Sequence, residues 1–210
     1  IYDIFYDDTK LAWINWVKTI PSFTIPKGEE YTNIFVPTAD SIRIAKLMEM
    51  LMKSNNHILF CGPTGTGKTI SINKQLWEGF DPLVYTSFSI SFSAQTTANQ
   101  TQNIIDGKMQ KVSMRVFAPP AGKQGIIYVD DLNMPAKEKY GAQPPIELLR
   151  QWMDYQGWYD IVGNEKEFWK IKNVWFVAAI GPPGGGWNHI TDWYVWHFNV
   201  IYVEPYSNYS

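Results

Sequence analysis

Five short apolar runs divide the chain, and segments with helical spacing of apolar residues separate them. The runs lie at residues 57–61, 83–92, 125–129, 174–180 and 198–203. Helical patterns occupy about 68–77, 95–110, 143–155 and 188–196. Strands that alternate with helices, several of them apolar throughout, predict an α/β fold. The expected core is a mostly parallel five-stranded sheet with helices on both faces.

The same patterns assign the rest of the chain. Residues 39–54 predict an amphipathic helix with Met48 and Met52 on its core stripe. Residues 1–30 are aromatic and contain proline, and they indicate a connector with one short helix at about 11–18. Residues 157–172 predict a polar hairpin or loop before the fourth strand. Ser93 or Thr96 is the expected cap of the helix that follows the second strand.

Composition narrows the function classes. The net charge is −2 and the sequence pI is about 5.9, with basic residues scattered along the chain, so we expect no nucleic-acid partner. The longest apolar runs fall far short of the roughly 20 residues that span a bilayer, so we expect a soluble protein with no membrane partner. Cys61 is the only cysteine, which indicates a reducing compartment. The absence of an initiator Met and of a leader indicates a piece of a longer polypeptide.

One motif predicts phosphate binding. The stretch "GPTGTGKT" at 62–69 fits G-x-x-x-x-G-K-[ST] and lies between a predicted strand and a predicted helix. Its glycines let backbone N–H groups turn towards phosphates, Lys68 reaches the terminal phosphates, and Thr69 offers its hydroxyl to Mg²⁺. The alternative is an ordinary Gly-rich turn. The predicted nucleotide-binding residues here are Gly62, Pro63, Thr64, Gly65, Thr66, Gly67, Lys68 and Thr69.

Two carboxylates end the third main strand, "GIIYVDDLN", about 60 residues after this loop. In phosphate-loop enzymes the first acid, here Asp130, holds Mg²⁺, and the second, here Asp131, orients or deprotonates the attacking water. Alternatively, both acids only cap a turn. Asp131 is shorter than the Glu more often found in this role, which predicts slow hydrolysis.

The remaining reactive residues predict no further chemistry. His57, His189 and His197 match no metal-ligand spacing. We expect His57 to open a strand, His197 to serve packing, and Cys61 to be a small core residue. No nucleophilic triad is indicated.

Several phrases together carry a resemblance to a known family. "GPTGTGKT", "SFSAQTTANQTQ", "YVDDLNMPAKEKYGAQPPIELLRQWMD" and "AAIGPPGGG" closely resemble the third AAA+ module of the dynein heavy-chain motor, in its axonemal, inner-arm form. The resemblance covers about residues 31–204, and the long segment after the third strand is its most specific part.

This resemblance implies the large α/β subdomain of a P-loop NTPase (AAA+) module in a six-module ring, binding ATP or ADP with Mg²⁺. Residues 1–30 become a connector from the preceding module, 31–204 the large subdomain, and 205–210 the start of a link to a lid. The family's Walker A motif falls on 62–69, its Walker B pair on Asp130 and Asp131, and its adenine region on Val36, Pro37 and Thr38.

The family's role would be regulatory, with the nucleotide state gating the motor cycle. The implied partners are neighbouring AAA+ modules, a microtubule contacted through a stalk outside this segment, and other dynein chains of the axoneme. The implied location is the cytoskeleton of a cilium or flagellum. A structural ring module with permanently bound or no nucleotide is the alternative, and a small-substrate kinase is the weaker one.

Two departures from the family pattern bear on turnover. "GPPGGG" offers no polar sensor for the terminal phosphate. Related sequences carry Arg where this chain has Trp187, Trp193 and Trp196, and tryptophan cannot act as an arginine finger. The whole chain holds three Arg, 15 Lys and 10 Trp. Either these cationic contacts are lost, or the tryptophans stand for arginine in the native chain.

Overall fold

The computed structural model describes residues 3–7, 9–24, 28, 34–161, 166–184 and 186–205. It contains a two-stranded, a five-stranded and a four-stranded sheet. The strands are β1 Ile4–Asp7, β2 Ala12–Asn15, β3 His57–Cys61, β4 Tyr85–Ser91, β5 Gln110–Ser113, β6 Val116–Ala118, β7 Gln124–Asp130, β8 Gly157–Tyr159, β9 Phe168–Ile171, β10 Val174–Ile180 and β11 Phe198–Tyr202. The α-helices are α1 Ala39–Lys53, α2 Lys68–Lys74, α3 Ala98–Asp106, α4 Pro144–Tyr155 and α5 Asp192–Val195.

The five-stranded sheet has the order β11-β3-β10-β7-β4, and all its pairings are parallel. Its strands are the five apolar runs, which confirms the predicted sheet. Side chains alternate between two core clusters, one against α1 and α2 and one against α3, α4 and α5. Helices therefore cover both faces, as predicted. No helix in the described part of the chain is long and apolar enough to cross a membrane.

The residues for which no chemical role was expected lie at or beside the ends of the main strands. His57 opens β3, and its Nδ1 accepts a hydrogen bond from the backbone N–H of Phe176 at 3.0 Å. Burial lowers the pKa of His57 to about 4, so the ring is neutral at physiological pH. Cys61 ends β3, half-buried against the core, as expected. His197 makes a polar contact as well, with its Nε2 3.1 Å from Asp154 Oδ1.

The helix predicted at about 11–18 is wrong. This stretch forms β2, antiparallel to β1, and then a 3-10 turn at Trp16–Thr19. Aromatic pairing across the strands outweighs the weak helical spacing, because the rings of Phe5 and Trp16 stack at 4.1 Å and Tyr6 meets Trp13 edge-on at 5.5 Å.

Two predicted helices are shorter than their patterns. The segment 188–196 is helical only in α5, and 95–110 only in α3. The expected cap at Ser93 or Thr96 is wrong, because Thr97 caps α3. Its Oγ1 accepts from the N–H of Gln100 at 3.2 Å, while Gln100 Oε1 accepts from the N–H of Thr97 at 3.1 Å. Ser93 and Thr96 instead bond each other in the preceding turn.

The predicted hairpin at 157–172 exists as β8 and β9, and it belongs to a sheet that the sequence did not indicate. This second sheet has the order β5-β6-β9-β8, with β6 parallel to β9. Two side chains of α3 fasten it: Asp106 Oδ1 accepts from Trp158 Nε1 at 3.0 Å, and Gln102 Nε2 donates to the carbonyl of Tyr159 at 2.7 Å. Burial raises the pKa of Asp106 to about 6.

Candidate functional site

The predicted phosphate loop joins β3 to α2 at the carboxyl edge of the main sheet. Gly65 and Gly67 have φ angles of +81° and +70°, which side chains rarely adopt. A Cβ at Gly62 would lie 2.4 Å from the carbonyl oxygen of Val203, which follows β11. All three glycines of the motif are therefore required by the geometry of the backbone, two by their φ angles and one by a close backbone contact.

Lys68 lies folded into this loop. Its Nζ donates to the carbonyls of Gly62 and Pro63 at 2.7 and 2.6 Å, and to Thr66 Oγ1 at 3.3 Å. Burial lowers the pKa of Lys68, while the charges of Asp130 and Asp131 oppose that shift. The ammonium group is thus held at the loop by backbone carbonyls, which an anionic ligand can replace as partners.

The two predicted acids meet the loop across the sheet edge. Thr69 Oγ1 donates to Asp130 Oδ1 at 3.3 Å, although 61 residues separate them. The N–H of Asp131 donates to the same oxygen at 3.1 Å, and Asp131 has a left-handed φ of +50°. Both acids line a recess of about 310 Å³ together with residues 64–69. The sequence motif and the acidic strand end therefore share one site.

The donor set of this recess fits Mg²⁺ better than a transition metal. Within the described ranges, no group of three or more His, Cys, Asp or Glu side chains is placed to hold a metal ion. One carboxylate beside one hydroxyl is the sparse oxygen set that suits Mg²⁺, which keeps several waters and takes phosphate oxygens. Thr69 and Asp130 would supply the protein ligands.

An asparagine that the sequence analysis did not single out joins two turns beside the recess by hydrogen bonds. Asn133 is 1% exposed, and its Nδ2 donates to the carbonyls of Gly181 and Asn188 at 3.0 and 3.2 Å. The N–H of Asn188 donates to the carbonyl of Asn133 at 2.9 Å. These bonds join the turn after β7 to the turn after β10. The motif "DDLN" contains the only sequence signal for this role.

The structure separates the three unusual tryptophans. Trp187 lies against Gly181, where an added Cβ would sit 3.1 Å from the indole, and it lines the phosphate-loop recess. Its Nε1 is buried and forms no hydrogen bond with any of the described residues. Trp193 and Trp196 are 77% and 81% exposed on another surface, which they share with Glu147, Arg150 and Asp154. Only Trp187 contacts the candidate site.

A second cavity, of about 430 Å³, adjoins the other side of the loop. Of the predicted adenine region only Thr38 lines it, while Val36 is 56% exposed and Pro37 lies outside its lining. Arg43 also lines it, with its Nη1 3.1 Å from Asp40 Oδ1. Its Nε is buried and, among the residues that the structure describes, has no hydrogen-bond partner. The cavity is formed by Thr38, Asp40, Ser41, Arg43, Ile44, Leu47, Thr66, Ser71, Ile201, Tyr202, Val203, Glu204 and Pro205.

The parallel sheet, the glycine loop after β3 and the acidic end of β7 define the class of P-loop NTPases. Residues 23–206 match the family described as the P-loop containing dynein motor region. The chain therefore belongs to the dynein motor region family.

Similar proteins come from axonemal dyneins. The chain is 46% identical over 197 residues to dynein axonemal heavy chain 1 of Mus musculus, an alignment covering 93% of this chain and 4% of that protein. It is 42% identical over 210 residues to dynein axonemal heavy chain 12 of Mus musculus, covering 99% of this chain and 7% of the relative. The chain thus spans only a small fraction of these relatives' length.

Proposed function

We propose that this segment is an ATP- or ADP-binding regulatory AAA+ module of an axonemal dynein heavy chain, the third module of an inner-arm motor. The observation that carries the proposal is the convergence of Lys68, Thr69 and Asp130 on one recess. The 3.3 Å contact between Thr69 Oγ1 and Asp130 Oδ1 joins the two halves of a Mg-nucleotide site. The loop half would hold the phosphates, and the acidic half would complete the Mg²⁺ site.

Each part of the site has a role in this proposal. Loop amides and Lys68 hold the phosphates, because Lys68 exchanges its carbonyl partners for phosphate oxygens. Thr69 and Asp130 hold Mg²⁺, which screens phosphate charge when bound. Asp131 positions the attacking water. The cavity of about 430 Å³ beside Thr38 falls within the range of ligand pockets and receives the nucleoside.

Slow turnover is expected from the residues at the end of the recess that would receive the terminal phosphate. Asp131 is short, and Trp187 places an uncharged ring there. A nucleotide that persists in its site biases a ring between two arrangements for long periods, which suits regulation. The proposed partners are neighbouring AAA+ modules, a microtubule reached through a stalk elsewhere in the heavy chain, and other dynein chains in the axoneme of a cilium or flagellum.

Direct binding of a fluorescent ATP analogue with Mg²⁺ tests the proposal. We expect saturable binding and exchange of the bound analogue when unlabelled ATP is added in excess. The second candidate is a structural ring module, which the uncharged Trp187 favours. Bound ADP that never exchanges during the chase would support this structural role, and no binding at all would reject the regulatory one.

Peptide mass spectrometry of the native protein across residues 181–204 settles which residues line this end of the site. Trypsin cleavage after positions 187, 193 and 196 would show arginine there and favour an ordinary regulated ATPase. An uncut peptide with tryptophan masses would favour the structural module.

A further inference from the structure

Tyr128 buries a hydroxyl group beside the candidate metal ligands. The residue lies in the central strand β7 and is 1% exposed. Its hydroxyl lies next to the side chains of Thr69 and Asp130, but within the described residues it makes no contact of full hydrogen-bond geometry. An unsatisfied buried hydroxyl is destabilising, and phenylalanine would fill the same space without that penalty. Tyr194 also buries such a hydroxyl, so it is the place of the Tyr128 hydroxyl beside Thr69 and Asp130 that points to a function.

The strand period places this hydroxyl beside the candidate metal ligands. Tyr128 and Asp130 are two residues apart in β7 and so point to the same face of the sheet. Ile72 of α2 packs in the same core cluster as Tyr128, and α2 begins with Lys68 and Thr69. The hydroxyl of Tyr128 therefore lies on the side of the sheet that carries Thr69 and Asp130.

The carboxylate of Asp130 has room for another donor. Thr69 Oγ1 and the N–H of Asp131 both donate to its Oδ1, at 3.3 and 3.1 Å. Both bonds reach the same oxygen. Mg²⁺ demands near-octahedral geometry, and carboxylates that bind metals are usually oriented by a second hydrogen bond. In the described part of the chain, a turn amide and the long bond from Thr69 serve this purpose for Asp130.

We propose that Tyr128 is a positioning residue for Mg²⁺: its hydroxyl donates to the Asp130 carboxylate when the Mg-nucleotide complex is bound. The inference rests on the proposed function. It gives the buried hydroxyl a role at the site beside which it lies. The hydrogen bond forms in the loaded state and fixes the carboxylate beside Thr69, where both groups face the ion.

Tyr128→Phe tests this proposal against a matched control, Tyr194→Phe. Tyr194 is also 1% exposed, and its buried hydroxyl also makes no hydrogen bond within the described ranges. It packs in the core cluster on the opposite face of the sheet. Neither variant should lower the melting temperature without ligand, because each removes an unsatisfied hydroxyl. Affinity for a fluorescent ADP analogue in EDTA should also stay unchanged in both.

The Mg²⁺ concentration for half-maximal response of the bound analogue should rise about tenfold in Tyr128→Phe only, the scale of losing a supporting hydrogen bond at a metal site. An unchanged Mg²⁺ requirement would overturn the inference while nucleotide binding stands. A parallel loss of ADP affinity in EDTA, or loss of the fold in Tyr128→Phe alone, would assign the hydroxyl a structural role instead. A wild-type chain that binds no analogue would reject both proposals.

Discussion

Replacing Lys68 by alanine is the sharpest perturbation of the proposed nucleotide site. In the structure the ammonium donates to two loop carbonyls at 2.7 and 2.6 Å, so the loop itself partners its charge. Burial lowers the pKa of Lys68 because it disfavours the charged form. Loss of the hydrogen bonds destabilises the fold, whereas removal of a buried charge stabilises it, so the two effects on the free energy of unfolding oppose each other. We therefore expect Lys68→Ala to change the free energy of unfolding without nucleotide by only about 1 kcal/mol.

The effect on binding should be much larger. Hydrogen bonds to charged groups contribute about 1.5–3 kcal/mol each, and Lys68 would make about two to phosphate oxygens. Their loss of roughly 3–6 kcal/mol corresponds to a Kd weakened roughly 10²- to 10⁴-fold, at about 1.4 kcal/mol per factor of ten. The variant would then be unoccupied at nucleotide concentrations that saturate the wild type.

Thermal unfolding with and without Mg-ADP measures both quantities. A ligand at about 100 times its Kd stabilises by about 2.7 kcal/mol, which raises Tm by roughly 5–10 °C in a domain of this size. Lys68→Ala should show no such shift. Lys53→Ala is the control, because Lys53 is exposed at the end of α1 and pairs with Glu49 outside the site. A full shift in Lys68→Ala would refute a phosphate-binding role for this lysine.

Three further changes test other parts of the structure. Asp131→Asn should keep ATP bound but slow single-turnover hydrolysis about 100-fold or more. A rate equal to that of the wild type would show that Asp131 takes no part in hydrolysis. Asp106 has a raised folded pKa, so its contribution to stability is present below its unfolded pKa of 3.8 and lost as pH rises through about 6. Asp106→Asn should therefore raise the free energy of unfolding at pH 7.5 by about 1–2 kcal/mol, a figure reduced because the carboxylate is partly exposed. Urea unfolding should show this gain at pH 7.5 and no gain at pH 3.5. Gly62→Ala should destabilise by about 1–3 kcal/mol in thermal melts, because its Cβ would overlap the Val203 carbonyl; an unchanged Tm would contradict this packing.

The main sheet could be predicted because each of its strands carries its own signal. The central strands β3, β7 and β10 are buried on both faces and so are apolar almost throughout. The phosphate loop could also be predicted from the sequence, since its residues are contiguous. Its partnership with Asp130 was predicted from the pattern of phosphate-loop enzymes. The two meet because parallel strands bring their carboxyl ends to one edge of the sheet.

Other features depend on contacts that no local pattern encodes. All four residues of β5 are exposed, so its sequence carries no burial signal, and β6 pairs with β9 about 50 residues away. The cavity beside the loop joins side chains of α1 to the end of β11, which lie far apart in the sequence. That Arg43 lines this cavity could not be inferred from its position on an amphipathic helix. The N-terminal hairpin was misread because aromatic pairs across strands resemble helical spacing over so short a stretch.

The place of β3 in the sheet has a consequence for biosynthesis. The strand that precedes the phosphate loop is paired only with β10 and β11, in contacts such as Phe198 to His57. A ribosome adding about 5–20 residues per second needs on the order of 10 s between β3 and its partners. During that interval an apolar strand with unpaired edges is exposed to chaperones and to aggregation. The nucleotide site is therefore among the last parts of this segment to take shape, and bound nucleotide cannot guide the earlier steps.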